Sequence, residues 1–459
     1  MEKYKIYAIL SPILMILEVV TDIVIPYLMS RIVDIGIANR DIDYIVKVGL
    51  LMVLSAVFGM VFGVLSAYCG ARAGYGFAAE LRNETFKRVQ NFSFANLDNF
   101  TVSSLITRLT NDCNTIGQVT MMSLRMAIRA PFLLLFALIM AFKINSSLAK
   151  VFLIAIPTTV IIMFIGLKKA RPLFLKLQTR IDRVNAIIQE NLTGIRVVKS
   201  FNRQKHEEGR FEERNDALRD LALEAISIAL LVLPILNLII YSTIISILWF
   251  GGQQVVIGSL GGGELISFIS YIMQVMMAIM LLSMFFMQFL RGSASMQRIL
   301  EILNTESEIK EKSNPIKELK DGSISFDNVS FIYLKSNEKT LKNINFKVNS
   351  GEILGIIGST GSSKSTLVQL IPRLYDATDG PVTVGGADVR DYDIKSLRDQ
   401  VAFVLQKNTL FSGTIKENLL WGDENASDAE IEAACKIAQA NDFILSFPES
   451  YETNLGQGG

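Results

Sequence analysis

In 459 residues the sequence has one histidine, three cysteines and two tryptophans, and its charges nearly cancel, with 45 Lys and Arg against 44 Asp and Glu. Each shortage excludes a class of function. The one histidine, His206, sits among Arg203, Lys205, Glu207 and Glu208 and reads as a solvated surface residue. A metal centre or a histidine-based triad needs partners that this sequence does not offer it. Cys69, Cys113 and Cys435 lie far apart with no CxxC pair, so neither a disulfide framework nor a zinc site is indicated. A net charge of +1 lacks the basic excess of a nucleic-acid binder, and no nucleic-acid partner is expected. Charged residues make up only 19% of the chain, against about 25% in soluble domains, which argues against an ordinary soluble enzyme. The first apolar segment is too long for a cleavable signal and lacks a small-residue cleavage site.

What the sequence has instead is apolar residues, unevenly placed. Half of it is hydrophobic and its mean hydropathy is +0.38. Apolar runs crowd the part before Arg291, while Lys, Asp and Glu crowd the part after it. At about one domain per 150 residues the length suggests two or three domains, and a membrane domain followed by a soluble one is the economical reading.

A bilayer core of about 30 Å takes roughly 20 apolar residues as helix. Six stretches qualify or nearly do: Ile6 to Ser30, Val48 to Ala71, Ala130 to Phe142, Val151 to Leu167, Ala225 to Phe250 and Leu265 to Leu290. The third is short and is expected to borrow length past Arg129 and Lys143, whose long stems can snorkel. The turn Gly261-Gly262-Gly263 separates the last two. The linker after the fourth span is rich in Lys and Arg, whereas Gly251 to Gly263 has no charge. The positive-inside rule then places the long linkers, both termini and the soluble part in the cytoplasm. Phe77 to Leu124 and Lys168 to Leu221 keep helix-like apolar spacing with few breakers, so the membrane helices are expected to continue far beyond the bilayer.

Beyond a polar linker the pattern changes to short β-type runs, Ser323 to Phe326, Val329 to Tyr333 and Ile344 to Val348. Glu352 to Ile357 reads as a buried strand. It leads into Gly358-Ser359-Thr360-Gly361-Ser362-Ser363-Lys364-Ser365-Thr366, followed by a helix-forming stretch. A strand, a loop of small residues, Lys-Ser and a helix form the context of a nucleoside-triphosphate site. Small residues let backbone N–H groups converge on phosphate oxygens, and the helix N-terminus adds partial positive charge. Lys364 is expected to reach the β/γ-phosphates and the Ser365 hydroxyl to bind Mg²⁺. The plainer alternative is a Gly/Ser turn that happens to precede Lys-Ser. The usual pattern has glycine where Ser363 stands, and serine tolerates tight-turn backbone angles less well.

The chain as a whole resembles a half-size ABC exporter of the multidrug or lipid type: a membrane all-α domain of six helices with long cytoplasmic extensions, then a partial α/β P-loop nucleotide-binding domain. Val329-Ser330-Phe331-Ile332-Tyr333 before Leu341-Lys342-Asn343-Ile344 resembles the segment whose aromatic stacks on adenine, a role that falls to Tyr333. Val404-Leu405-Gln406-Lys407-Asn408 resembles the Q-loop, which implies that Gln406 touches Mg²⁺ or the attacking water. Ile106 to Asp112 is similar to the first coupling segment, and Glu190 to Lys199 to the run before the second. The resemblance implies a membrane domain over 1–300, a linker over 301–322 and a nucleotide-binding part over 323–459.

It further implies ATP and Mg²⁺ as cofactors, a second half-transporter as partner (in a homo- or heterodimer), and residence in the cytoplasmic membrane. The expected work is alternating-access export of hydrophobic small molecules, lipids or peptides. Two departures qualify this. Gly385-Gly386 stands where the family usually has Asp-Gly. Glu452 to Gly459 resembles the stretch immediately before the LSGGQ signature, so the signature, the Walker B aspartate and the catalytic glutamate are expected beyond Gly459, and hydrolysis by these residues alone is not expected. The alternative is a non-catalytic or truncated membrane subunit that binds nucleotide or a partner without turnover.

Two features stay open at this stage. Glu18 and Asp22, four apart, share a helical face, as the lining of a water-filled cavity or, alternatively, as a proton- or cation-handling pair. Met273, Met277, Met280, Met284 and Met287 form one helical stripe, fit either for interhelical packing or for the wall of a cavity taking varied hydrophobic substrates.

Overall fold

Long apolar runs with few breakers give long helices, because in a lipid environment each backbone N–H and C=O must be satisfied within its own segment. The computed structural model describes residues 2–334, 336–406 and 408–456. Lys407 of the Q-loop-like run and Gln457, Gly458 and Gly459 of the C-terminal run lie outside the described residues. Among the described residues six helices are long and apolar enough to cross a membrane: α1 Lys5–Ile37, α2 Ile42–Gln90, α3 Val102–Ile144, α4 Ser146–Thr193, α5 Gln204–Val256 and α6 Gly262–Asn304. At 1.5 Å per residue the 49 residues of α2 reach roughly 70 Å, far more than a bilayer core, as the apolar spacing in the linkers suggests.

The chain divides into two compact units, Met1–Phe92 with Asn96–Ser307, and Ser93–Ala95 with Glu308–Gly459. In the helical unit the core gathers Val19 and Ile23 of α1, Leu133 and Ala137 of α3, Phe152 of α4 and Phe268, Tyr271, Ile272 and Val275 of α6. Small residues bring α2 and α3 together: a Cβ on Gly74 would lie 2.6 Å from the carbonyl oxygen of Gly117, the close approach that small residues permit between membrane helices. Ser11 and Ser66 each donate to the other's carbonyl oxygen at 3.0 Å, pinning α1 to α2. Tyr271 donates to the carbonyl of Ile23 at 2.9 Å, pinning α6 to α1.

The glycine turn before α6 acquires a physical reason. Asp34, at the end of α1, accepts from the backbone N–H of Gly263 at 2.6 Å and of Glu264 at 2.9 Å. It thereby satisfies donors that the first turn of α6 cannot pair internally. A Cβ on Gly263 would stand 2.6 Å from the carbonyl oxygen of Ser30, so only glycine lets the two segments meet.

The second unit carries an antiparallel sheet of β1 Ile324–Phe331, β2 Leu341–Val348, β3 Val382–Val384 and β4 Ala387–Asp388, in the order β2-β1-β3-β4. The two runs expected at Ser323–Phe326 and Val329–Tyr333 form one strand. Its register against β2 slips after Phe326 and again after Val329, as a bulge does. Phe326, Val329, Phe331, Val382 and Val384 bury against Leu367, Leu370 and Leu397. Gly385-Gly386 forms the two-residue turn between β3 and β4, with φ of 59° and 82°. A hairpin turn of that kind requires such angles, so glycine at both positions suits the turn.

One expectation is corrected. Glu352 to Ile357 lies in no strand, and Ile353 and Ile357 are 100% and 99% exposed. A strand apolar on both faces is stable only inside a sheet, and none of the described residues pairs with this run.

Candidate nucleotide-binding site and membrane polar pocket

The loop from Gly358 turns sharply before a short helix, α7 Lys364–Gln369. Two residues take left-handed backbone angles there, Gly361 with φ of 85° and Ser363 with φ of 64°. Glycine does this freely, whereas a residue with a Cβ pays about 1–2 kcal/mol. The position that departs from the usual glycine is thus one where the backbone itself favours glycine. Lys364 folds back over the loop, and its Nζ donates to the carbonyl oxygens of Gly358 and Ser359, both at 2.9 Å, and to Ser362 Oγ at 3.3 Å. An ammonium held over a loop of small residues is the arrangement that receives phosphate oxygens. Ser365 is exposed on the first turn of α7, and Thr366 is buried.

Tyr333 is brought to the loop helix by a contact the sequence did not reveal. Its hydroxyl lies 2.9 Å from Thr366 Oγ1. Its ring meets Phe331 and Tyr375 edge-on, with centroids 4.8 and 5.4 Å away. Thr360 and Ser359 are exposed on the loop beside it. Gln406 is exposed, and among the described residues no hydrogen bond joins it to the loop. The segment running into the sheet is itself anchored. Buried Arg373 donates to Asp376 at 2.8 and 3.1 Å and to the carbonyl of Lys310 at 3.1 Å. Ile316 bridges to Tyr392 in parallel register.

In the helical unit, Arg129 does not snorkel. It turns inward and pairs with both Glu18 and Asp22 of α1, its Nη2 lying 2.8 Å from Asp22. Desolvated charges persist where they are paired, and this pairing overrides the pull of the headgroup layer. A cavity of about 380 Å³ opens beside them, lined by Glu18, Thr21, Asp22, Gly59, Gly63 and Arg125. Glu18 Oε2 and Arg125 Nε are buried there without a hydrogen-bond partner among the described residues. Arg129 supplies the countercharge that a cation would otherwise bring, which favours the polar-lining reading of Glu18 and Asp22 over cation handling. Of the methionine stripe, Met273, Met277, Met284 and Met287 are 42–59% exposed, while Met276, off the stripe, is buried. Met280, the middle member, is half-buried, so four of the five stripe residues are not used for packing inside this chain.

The coupling-like segment is clamped to α6. Residues Arg108–Asp112 form one π-helical turn within α3, a distortion frequent at functional sites. Arg298 donates from Nε (2.7 Å) and Nη2 to the Asp112 carboxylate, and Ser295 Oγ adds a bond of 2.8 Å. Arg108 returns a bond of 2.8 Å to the carbonyl of Arg298 and pairs with Glu301 at 2.7 Å. Sequence spacing could not foresee this, because the partners stand about 190 residues apart.

Comparison with known proteins gives concordant matches. Residues 8–279 match the ABC transporter transmembrane region, and residues 341–458 match the ABC transporter family. YfiB of Bacillus subtilis, an uncharacterized ABC transporter ATP-binding protein, is 36% identical over 459 residues, which is 100% of this chain and 80% of that protein. MT1311 of Mycobacterium tuberculosis, of the same description, is 33% identical over 462 residues, 99% of this chain and 79% of that protein. An ATP-dependent lipid A-core flippase of Desulfotalea psychrophila is 30% identical over 438 residues, 94% of this chain and 76% of that protein.

Proposed function

The chain belongs to the ABC exporter half-transporter family, with the family's transmembrane and ATP-binding regions fused in one polypeptide, and from that premise we propose that it is one half of an ATP-driven exporter of hydrophobic or amphipathic molecules. The observation that carries the reading is Lys364 poised over the loop of Gly358 to Ser362 in a chain that also holds six membrane-length helices. The partner is a second half-transporter, the cargo is drug-like, lipid or peptide in character, and both termini lie in the cytoplasm. The lipid alternative draws support from the lipid A-core flippase among the relatives.

The donor set fits ATP with Mg²⁺. Lys364 is a mobile ammonium that can exchange its carbonyl acceptors for phosphate oxygens, Ser365 presents a hydroxyl for the metal, and Gln406 is exposed for the same role. Bound ATP supplies the charge that these groups neutralise and the free energy of phosphoryl transfer. Tyr333, fixed by Thr366 and two aromatic rings, offers a preset surface for a base, and the Asp112–Arg298 clamp gives α6 a rigid hold on the coupling-like segment. The exposed methionine stripe and the pocket of Glu18 and Arg125 are the substrate-facing features of the helical unit.

A second reading has its own support: Ser363 in a left-handed turn disfavours tight nucleotide binding, as in a subunit that binds nucleotide or a partner without turnover. ATP-dependent uptake of a fluorescent amphiphile into inside-out vesicles decides between them. The exporter reading expects uptake that Lys364→Ala abolishes. Uptake indifferent to Lys364→Ala, or absent with a candidate partner supplied, would leave the non-catalytic reading.

A further inference from the structure

Where α4 and α5 run side by side, a cavity of about 640 Å³ is lined by Ile165, Lys168, Lys169, Leu173 and Lys176 of α4 and Ile228 of α5. Its position along the helices orders its chemistry. The uncharged run of α4 ends at Leu167, so Lys168 and Lys169 stand where hydrocarbon gives way to headgroups, and Ile165 lies just inside that boundary. On α5, which runs the opposite way, the uncharged run begins at Ala225, so Ile228 lies inside the boundary as well. Lys176 is two turns further out, but side chains on a helix tilt toward its N-terminus. In α4 that direction is toward the bilayer. One wall is therefore apolar at acyl-chain depth, and the other presents three ammonium groups at headgroup depth.

Those ammonium groups are uncommitted: among the described residues, none of Lys168, Lys169 and Lys176 takes part in an ion pair or hydrogen bond. The acids of α5 nearest in sequence are otherwise placed, with Asp216 and Asp220 both paired to Arg219. Glu224, one turn before Ile228, offsets only one of the three lysines. Basic pockets between membrane helices at the cytoplasmic face are suited to anionic headgroups.

We propose that this cavity binds an anionic phospholipid of the cytoplasmic leaflet, with its phosphate on Lys168, Lys169 and Lys176 and its acyl chains along Ile165 and Ile228. The proposal rests on the orientation given above, but not on transport, because lipid retention is measured without nucleotide or cargo. The test is native mass spectrometry of the purified full chain released from nanodiscs of equal phosphatidylglycerol and phosphatidylcholine. Phosphatidylglycerol should be retained in preference. Each of Lys168→Gln, Lys169→Gln and Lys176→Gln should weaken that preference by about fivefold, whereas Lys→Arg at the same three positions keeps both the preference and the fold. Equal retention of the two lipids, or a preference unchanged in the triple Gln variant, overturns the proposal. So does displacement of the lipid by soluble glycerol phosphate, or cross-linking from position 169 to a second protein chain in place of lipid.

Discussion

Arg298 grips Asp112 with two nitrogens of one guanidinium, so the C-terminal end of α6 and the π-helical turn of α3 are joined by a planar two-point contact. The two partners differ in their access to water, since Asp112 is buried and Arg298 about half exposed. Removing Arg298 leaves a buried carboxylate with the Ser295 hydroxyl and only the more distant charge of Arg108. Removing the acid leaves an arginine free to turn outward. Arg298→Met should therefore cost about 3 kcal/mol and Asp112→Asn about 1–2 kcal/mol, read as melting in detergent. Equal losses would show that the asymmetry of burial does not control the pair.

The Ser363 turn predicts an order among substitutions. Ser363→Gly removes the steric cost of the left-handed angle but gives the unfolded chain more freedom, a cancelling effect of about 0.5–1 kcal/mol. Its stability should be nearly unchanged while binding of a fluorescent ATP analogue tightens. Ser363→Val places a β-branched side chain at a positive φ, a true outlier, and should weaken binding below that of the native chain. Equal affinity for all three would disconnect this turn from nucleotide binding.

Arg129 faces two carboxylates, so its loss is worse than theirs. Arg129→Met leaves Glu18 and Asp22 uncompensated and should destabilise the helical unit by about 3–5 kcal/mol. Adding Glu18→Gln and Asp22→Asn to that variant should recover most of the loss. A triple variant no more stable than Arg129→Met would show that the contact is not what holds these groups.

Acid should loosen the second unit through Asp388. Burial works to raise this carboxyl, but the Arg390 side chain and backbone N–H outweigh it and hold it below its ordinary value of 3.8. A lowered acid contributes stability above the ordinary range that drains away as pH falls through its folded value. Trp421 emission in a Trp249→Phe chain should report a transition below about pH 4 that Asp388→Asn makes less steep. An identical acid slope in the two chains would remove Asp388 from the account.

Local pattern made much of this molecule legible. Six membrane-length helices, and a loop of small residues leading into a helix, could be read because apolar length, Gly/Ser content and Lys364-Ser365 are properties of neighbouring residues. The pairing of Arg129 with Glu18 and Asp22 was not legible, because snorkelling and inward pairing begin from the same sequence, and the choice depends on which helix packs alongside. Asp34 at the start of α6 and Tyr333 against Thr366 were hidden for the same reason: each joins residues whose nearness exists only after folding. Glu352 to Ile357 shows the reverse error. Its composition suits a buried strand, but composition does not supply the neighbours that a ladder requires.

That bare run has a practical consequence. Fully exposed Ile353 and Ile357, in a stretch that belongs to no strand or helix, offer both apolar side chains and backbone groups outside any ladder, which is the template from which aggregates grow. The second unit, prepared without a cover for this stretch, should self-associate in water as concentration rises. A chaperone that recognises extended apolar segments should then slow the onset of turbidity.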